Sequence, residues 1–202
     1  PKDFANPIPD LGWAYVERSL IPIKPTGNLV SGFGINKTSN LSTSLLPQFE
    51  GGTLTVDQAN TTIGEDFTLD GSTTNAIDAN GNNSTFTGIF SDSSSTVSGN
   101  LIFRDSSSPS NPDQAKRTTL TGISTYRGST TIESGNLLLN GGSFSKVSKV
   151  TVKPGARLGI LSGTNAESGS TVVGGTGSRS HVDINGTLTI NGDLDIDQGS
   201  RI

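Results

Sequence analysis

The chain has 202 residues, of which 30% are hydrophobic and 5% aromatic, a share too small for one large globular core. Full disorder is also disfavoured, because only 16% of the residues are charged and the net charge is −4. The mild acidity argues against a nucleic-acid partner, and no apolar run is long enough to span a membrane as a helix. The remainder is rich in Ser, Thr, Asn and Gly, which suits short strands joined by tight turns.

Residues 1–27 differ in composition from the rest of the chain, because they hold five of the nine prolines and the only tryptophan. Trp13, Val16 and Leu20 recur at helical spacing, which predicts a short helix that ends before the next proline. We interpret 1–27 as the tail of a preceding domain or an N-terminal linker; a cap of the following fold is the alternative. Residues 28–202 form the second unit.

From residue 28 onward the apolar residues alternate with polar ones, and the helical period is absent. Four segments carry the alternation between turn residues: "GGTLTVDQ" (51–58), "DFTLDG" (66–71), "STFTGIF" (84–90) and "GNLIFRD" (99–105). Two or three apolar residues per strand are too few for a two-sheet sandwich, but they suit a solenoid, in which each turn adds a thin slice to a continuous core. The sequence therefore predicts an all-β, right-handed parallel β-helix with an irregular N-terminal segment.

The closing residues contain a sequence repeat of six residues: "HVDING", "TLTING" and "DLDIDQ" follow one another between residues 181 and 198. Each repeat contains two apolar residues on one face of a strand. The Asn-Gly pairs at 185–186 and 191–192 fit two structures. They are either hairpin turns of an antiparallel meander or the corners of a parallel β-helix. The sparse apolar content upstream favours corners.

The segment "LTGISTYRGSTTIESGNLLLNGG" (120–142) resembles the passenger-associated repeat of bacterial autotransporters. It follows the family's form LTGxNTYTGGTTVxxGTLxLxxG. The departures at Ser124, Arg127, Ser129 and Asn136 replace no inward-facing apolar residue.

Two flanking segments extend the resemblance. Residues 51–92, with "IDANGN" and "FTG", are similar to the turn that commonly precedes this repeat, and the closing 184–202 is similar to late turns of such passengers. The resemblance implies export by type V secretion and a secreted or cell-surface location at the outer membrane of a Gram-negative bacterium. It also implies a stalk that displays a functional domain and aids folding during translocation. The implied partners are the protein's own C-terminal outer-membrane β-barrel and an upstream domain, with a host-cell surface as a further candidate.

Residues 11–30, "LGWAYVERSLIPIKPTGNLV", resemble the segment that closes the catalytic domain of subtilisin-like autotransporter proteases. Gly12 and Trp13 match that segment, whereas Ala14 stands in place of a second glycine and Ser19 near a usual alanine. The resemblance implies that the catalytic residues of such a protease lie upstream of this chain.

Apolar side chains stacked from turn to turn would carry the function of a stalk, because they hold its turns together. The expected core residues are Ile132, Leu137, Leu139, Val150, Val152, Leu158, Ile184, Leu188, Ile190, Leu194 and Ile196.

The chain offers little for catalysis or metal binding. His181 and Asp183 share one strand face, but no GxSxG motif accompanies them, and a solvated surface pair is the plain alternative. Asp193, Asp195 and Asp197 would line one strand face, yet they lack the spacing of known calcium loops. We therefore expect no catalytic, cofactor-binding or metal-binding residue in this chain.

An adhesin that binds host glycans or proteins is the main alternative function, and its sign would be aromatic side chains exposed on one face. The main candidates are Phe86, Phe90, Phe103, Tyr126 and Phe144, although several of these are also expected in the core. A polysaccharide-cleaving β-helix or part of a protease is the third alternative.

Overall fold

The computed structural model describes residues 28–30, 48–71, 73–107, 116–144, 146–173, 180–192 and 194–196, together with Ser200 and Ile202. The described residues form twenty strands and no helix, and every strand pairing among them is parallel. The strands stack as a β-solenoid of about five turns. The predicted all-β solenoid is confirmed. The interpretation of 1–27 and the predicted helix around Trp13 lie outside the described residues.

The turns of the solenoid have three faces. Sheet 1 contains β1 (Asn28–Val30), β3 (Thr53–Thr55), β6 (Thr74–Asp78), β9 (Asn100–Arg104), β12 (Ser129–Ile132), β15 (Val147–Val152), β17 (Asn165–Val173), β19 (Thr187–Ile190) and β20 (Leu194–Ile196). Sheet 2 contains β4 (Thr61–Ile63), β7 (Ser84–Phe86), β10 (Arg117–Leu120), β13 (Gly135–Leu139), β16 (Ala156–Ile160) and β18 (His181–Ile184). The third face contains β2 (Gln48–Phe49), β5 (Phe67–Leu69), β8 (Phe90–Asp92), β11 (Ile123–Ser124) and β14 (Ser143–Phe144).

One apolar column runs the length of sheet 1. Pairing from strand to strand places its members directly above one another: Leu54, Ile77, Phe103, Ile132, Val152, Val173 and Ile196. The turns differ in length, from 20 residues between Ile132 and Val152 to 29 residues between Phe103 and Ile132. The extra residues lie in the connections, so the stacking of apolar side chains is preserved.

Aromatic rings fill the core in the first turns. The Phe67 ring stacks on the Phe90 ring with centroids 5.4 Å apart and planes 12° apart, and Phe49 and Phe86 contact the same cluster. All four rings are buried. Further along, Phe144 meets the ring of Tyr126 edge-on at 6.4 Å. These large side chains compensate for the low number of apolar residues per strand.

The eleven residues expected in the core divide by position in the stack. Six are buried in the middle turns: Ile132, Leu137, Leu139, Val150, Val152 and Leu158. Leu188 and Ile190 are half-buried. Ile184, Leu194 and Ile196 are 38%, 48% and 45% exposed, which differs from the expectation. They lie on β18 and β20, each of which has a neighbour on one side only among the described strands, so no described turn covers them.

The Asn-Gly pairs near the end of the chain are not hairpin turns: 185–186 is a corner between sheet 2 and sheet 1, and 191–192 separates two strands of sheet 1. The strand before 185–186 pairs with β16, and the strands on either side of 191–192 both pair with β17. No two of these strands pair with each other as a hairpin would require. Gly186 also approaches the preceding turn closely, because a Cβ there would collide with the carbonyl oxygens of Leu161 and Thr164.

The segment 120–142 forms one turn of the solenoid and ties it to the turn below. The Tyr126 hydroxyl, fully buried, hydrogen-bonds the hydroxyl of Thr130. The neighbouring Arg127 forms an ion pair with Asp92 at 2.7 Å. Its guanidinium also donates to the carbonyl of Val97, in the loop between β8 and β9. The departure from the family pattern at Arg127 therefore has a structural use, since it anchors that loop.

Candidate functional site

The outer surface of sheet 2 carries a regular array of polar side chains. Side chains alternate between the two faces of a strand, so Asn83 and Thr85 point outward while Phe86 points into the core. The pairing of β7 with β10 sets Arg117 beside Asn83 and Thr119 beside Thr85. The residue before β4, Asn60, extends the first column by one turn.

These side chains border a groove with a volume of about 270 Å³. We call it the Arg117 groove, and it is lined by Asn60, Asn83, Ser84, Thr85, Arg117 and Thr119. The backbone N–H of Arg117 donates to Oδ1 of Asn83 at 3.0 Å, which fixes the amide against the strand edge. Asn60 lies at a corner with φ of 59°, in the left-handed region that Asn tolerates better than most residues.

The ion pairing of Arg117 differs from that of the other arginines whose side chains the structure describes. Arg104 forms an ion pair with Asp78, Arg127 with Asp92, and Arg157 with Asp183. The guanidinium of Arg117 has no carboxylate partner among the described residues. A cation without a counter-ion on an exposed, polar surface is available to an acidic ligand.

The buried carboxylates of Asp78 and Asp105, outside the groove, accept hydrogen bonds from backbone N–H groups at the ends of strands. Asp78 accepts from the N–H groups of Asn80 and Ser106, both at 2.9 Å. Asp105 accepts from the N–H groups of Gly81, Ser107 and Lys116 at 2.8 to 3.2 Å.

Because each of these two carboxylates caps backbone donors from a neighbouring turn, both act as structural groups. In the described ranges, no group of three or more His, Cys, Asp or Glu side chains could hold a metal ion.

The structure describes only some of the polar residues considered as candidates for catalysis or metal binding. Asp183 forms an ion pair with Arg157, on the next strand of sheet 2, and it is half-buried. His181 lies two residues earlier on the same strand, and its side chain is not among the described ones. Asp195 is exposed on β20, whereas Asp193 and Asp197 lie outside the described residues.

The aromatic side chains proposed as an adhesive surface are buried. Phe86, Phe90, Phe103, Tyr126 and Phe144 are each at most 2% exposed. Burial and loss of solvent raise the pKa of the Tyr126 hydroxyl well above its usual range. The expected sign of an adhesin, aromatic side chains exposed on one face, is therefore wrong for these five residues, and the expectation that several of them belong to the core is confirmed.

Within the part of the chain that the structure describes, no helix is long and apolar enough to cross a membrane. No protein-family model, curated protein or solved structure matches this chain. The fold and the stacked core therefore define its class, a parallel β-solenoid.

The Arg117 groove is absent from the sequence-based expectations. Its outer columns join residues that are 23 and 34 positions apart, as in Asn60, Asn83 and Arg117. Unequal turns hide such a column from any search at a fixed period. The available signal was local and weak: Thr85 precedes the apolar Phe86, and Thr119 precedes the apolar Leu120.

Proposed function

We propose that this chain is a segment of a bacterial autotransporter passenger, exported by type V secretion to the surface of a Gram-negative cell. Its function in this proposal is that of a non-catalytic β-helical stalk, which supports and displays another domain. The observation that carries the proposal is the uninterrupted apolar column of sheet 1, from Leu54 through Ile132 to Val173. It supports a rod whose length grows with each turn.

The same column supports a role in export. Each described turn covers the apolar side chains of the one before it and pairs with its backbone, so a folded turn is a template for the next. Folding turn by turn outside the cell would disfavour retreat of the chain through the membrane. The apolar side chains of Ile184, Leu194 and Ile196 are where a neighbouring unit of the same protein would pack.

Surface display of the full-length protein in a Gram-negative host tests this proposal. The double variant Ile132→Asp, Leu139→Asp places two carboxylates in the core, at a cost of several kcal/mol for each unpaired charge. The matched control, Thr131→Asp with Leu138→Asp, alters the outward-facing neighbours on the same two strands.

Display is measured by the accessibility of the passenger to an added protease on intact cells. We expect the core variant to lose surface display and the control to keep it. Equal display of the two variants would overturn the stalk proposal.

A further inference from the structure

We propose that the Arg117 groove binds an acidic saccharide, a sugar that carries a carboxylate. The carboxylate would lie on the guanidinium of Arg117, and the sugar hydroxyls on the amides and hydroxyls that line the groove. This inference goes beyond the role of a stalk and does not depend on it, because it concerns the outer surface of sheet 2 alone.

The charge argument comes from the pairing of arginines. Three described arginines, at 104, 127 and 157, each have a carboxylate within ion-pair distance. Arg117 has none in the described part of the chain, although the protein has a net charge of −4. A guanidinium presents parallel N–H donors that match the two oxygens of a carboxylate, so an acidic group from outside is the partner it lacks.

The neutral lining points to a sugar as the carrier of that carboxylate. Amide and hydroxyl side chains both donate and accept hydrogen bonds, as sugar hydroxyls do. Asn83 uses its Oδ1 for the backbone of Arg117, which leaves its Nδ2 donors for a ligand. Thr85 and Thr119 stand beside each other on paired strands, about 4.8 Å apart, and add two hydroxyls.

The shape of the groove sets the size of the ligand. Its volume of about 270 Å³ lies near the lower end for ligand pockets, so it holds one or two sugar units and leaves the rest of an oligosaccharide in solvent. Its walls lie on paired strands or next to them, which reduces the side-chain ordering required on binding. For a ligand of this size we expect a Kd on the order of 1 mM.

Titration of the full chain with trigalacturonate, followed by NMR, tests the proposal. Trigalactose serves as the neutral probe, and inorganic sulfate as a simple anion. We expect trigalacturonate to shift the resonances of Asn83, Arg117 and Thr119. Trigalactose lacks the carboxylate and should bind at least about tenfold more weakly, the loss of one charge-assisted pair. Sulfate keeps the charge but lacks the sugar hydroxyls that contact the groove lining, so we expect it to bind more weakly as well.

Two arginine variants separate the groove from general surface charge. Arg117→Gln removes the cation of the groove, and we expect about a tenfold weaker Kd for trigalacturonate. Arg157→Gln, on the same outer column of sheet 2, removes an arginine already paired with Asp183 and leaves the Kd within about twofold. Circular dichroism verifies that both variants keep the β-solenoid.

Three results would overturn the proposal: no binding of trigalacturonate, equal loss in both variants, or equal binding of sulfate or trigalactose.

Discussion

Isoleucine-to-alanine substitutions at two positions of the apolar column in sheet 1 measure how much a covering turn adds to the free energy of unfolding. Ile132 is fully buried in the middle of sheet 1, and Ile196 occupies the equivalent position on the last described strand, where it is 45% exposed. Ile132→Ala removes three buried carbons, or about 2.4 kcal/mol of transfer free energy at about 0.8 kcal/mol per carbon. The unfilled cavity brings the expected loss of unfolding free energy to about 3–4 kcal/mol.

The same change at Ile196 has a smaller effect, because nearly half of the side chain is already in water and solvent fills the space left behind. We expect Ile196→Ala to lower the free energy of unfolding by about 1 kcal/mol. Urea unfolding of the wild-type chain and both variants, followed by circular dichroism, gives the two differences. Equal losses for the two variants, or a loss below about 1 kcal/mol for Ile132→Ala, would refute the role assigned to stacking.

Two further changes test local features of the same turn. Tyr126→Phe leaves the buried Thr130 hydroxyl without its partner, so we expect a loss of about 1–2 kcal/mol at neutral pH in urea unfolding. Because the pKa of the Tyr126 hydroxyl is raised in the folded chain, this group ionises at a lower pH in the unfolded chain. The free energy of unfolding of the wild-type chain should therefore fall as the pH rises above about 10. A fall of the same size in Tyr126→Phe would contradict this. Gly122→Ala places a Cβ against the carbonyl of Gly88, and we expect a loss of about 1–3 kcal/mol by thermal unfolding. The control Gly64→Ala meets only an ordinary contact with Thr87 at 3.5 Å and should change stability by less than about 0.5 kcal/mol, so equal effects would count against the close approach.

Alternation along single strands was sufficient to predict much of the fold. The segment 99–105 contains β9, and 66–71 contains β5, because an apolar residue at every second position can face only one side of a strand. Segments with weaker alternation were not recognised as strands. β6, for example, buries Asn75 and Asp78, whose polar atoms are satisfied by backbone groups of other turns.

The candidate site could not be predicted in the same way. Arg117 and Asn83 are 34 residues apart, and they meet because a long connection, 105–116, separates β9 from β10. A local pattern reports which face a side chain occupies, but it carries no information on which residue of the next turn lies beside it. That no described carboxylate pairs with Arg117 is likewise a property of neighbours in space.

The sequence by itself determined the class of fold, because the alternation of apolar and polar residues acts through the local backbone. It also determined that the core is thin. Only the tertiary structure decided that all the large aromatic rings among Phe86, Phe90, Phe103, Tyr126 and Phe144 are buried, and that Ile184, Leu194 and Ile196 are exposed. A residue is buried only where another turn of the solenoid covers it. The same pair of apolar residues therefore belongs to the core in the middle of the stack and to the surface at its end.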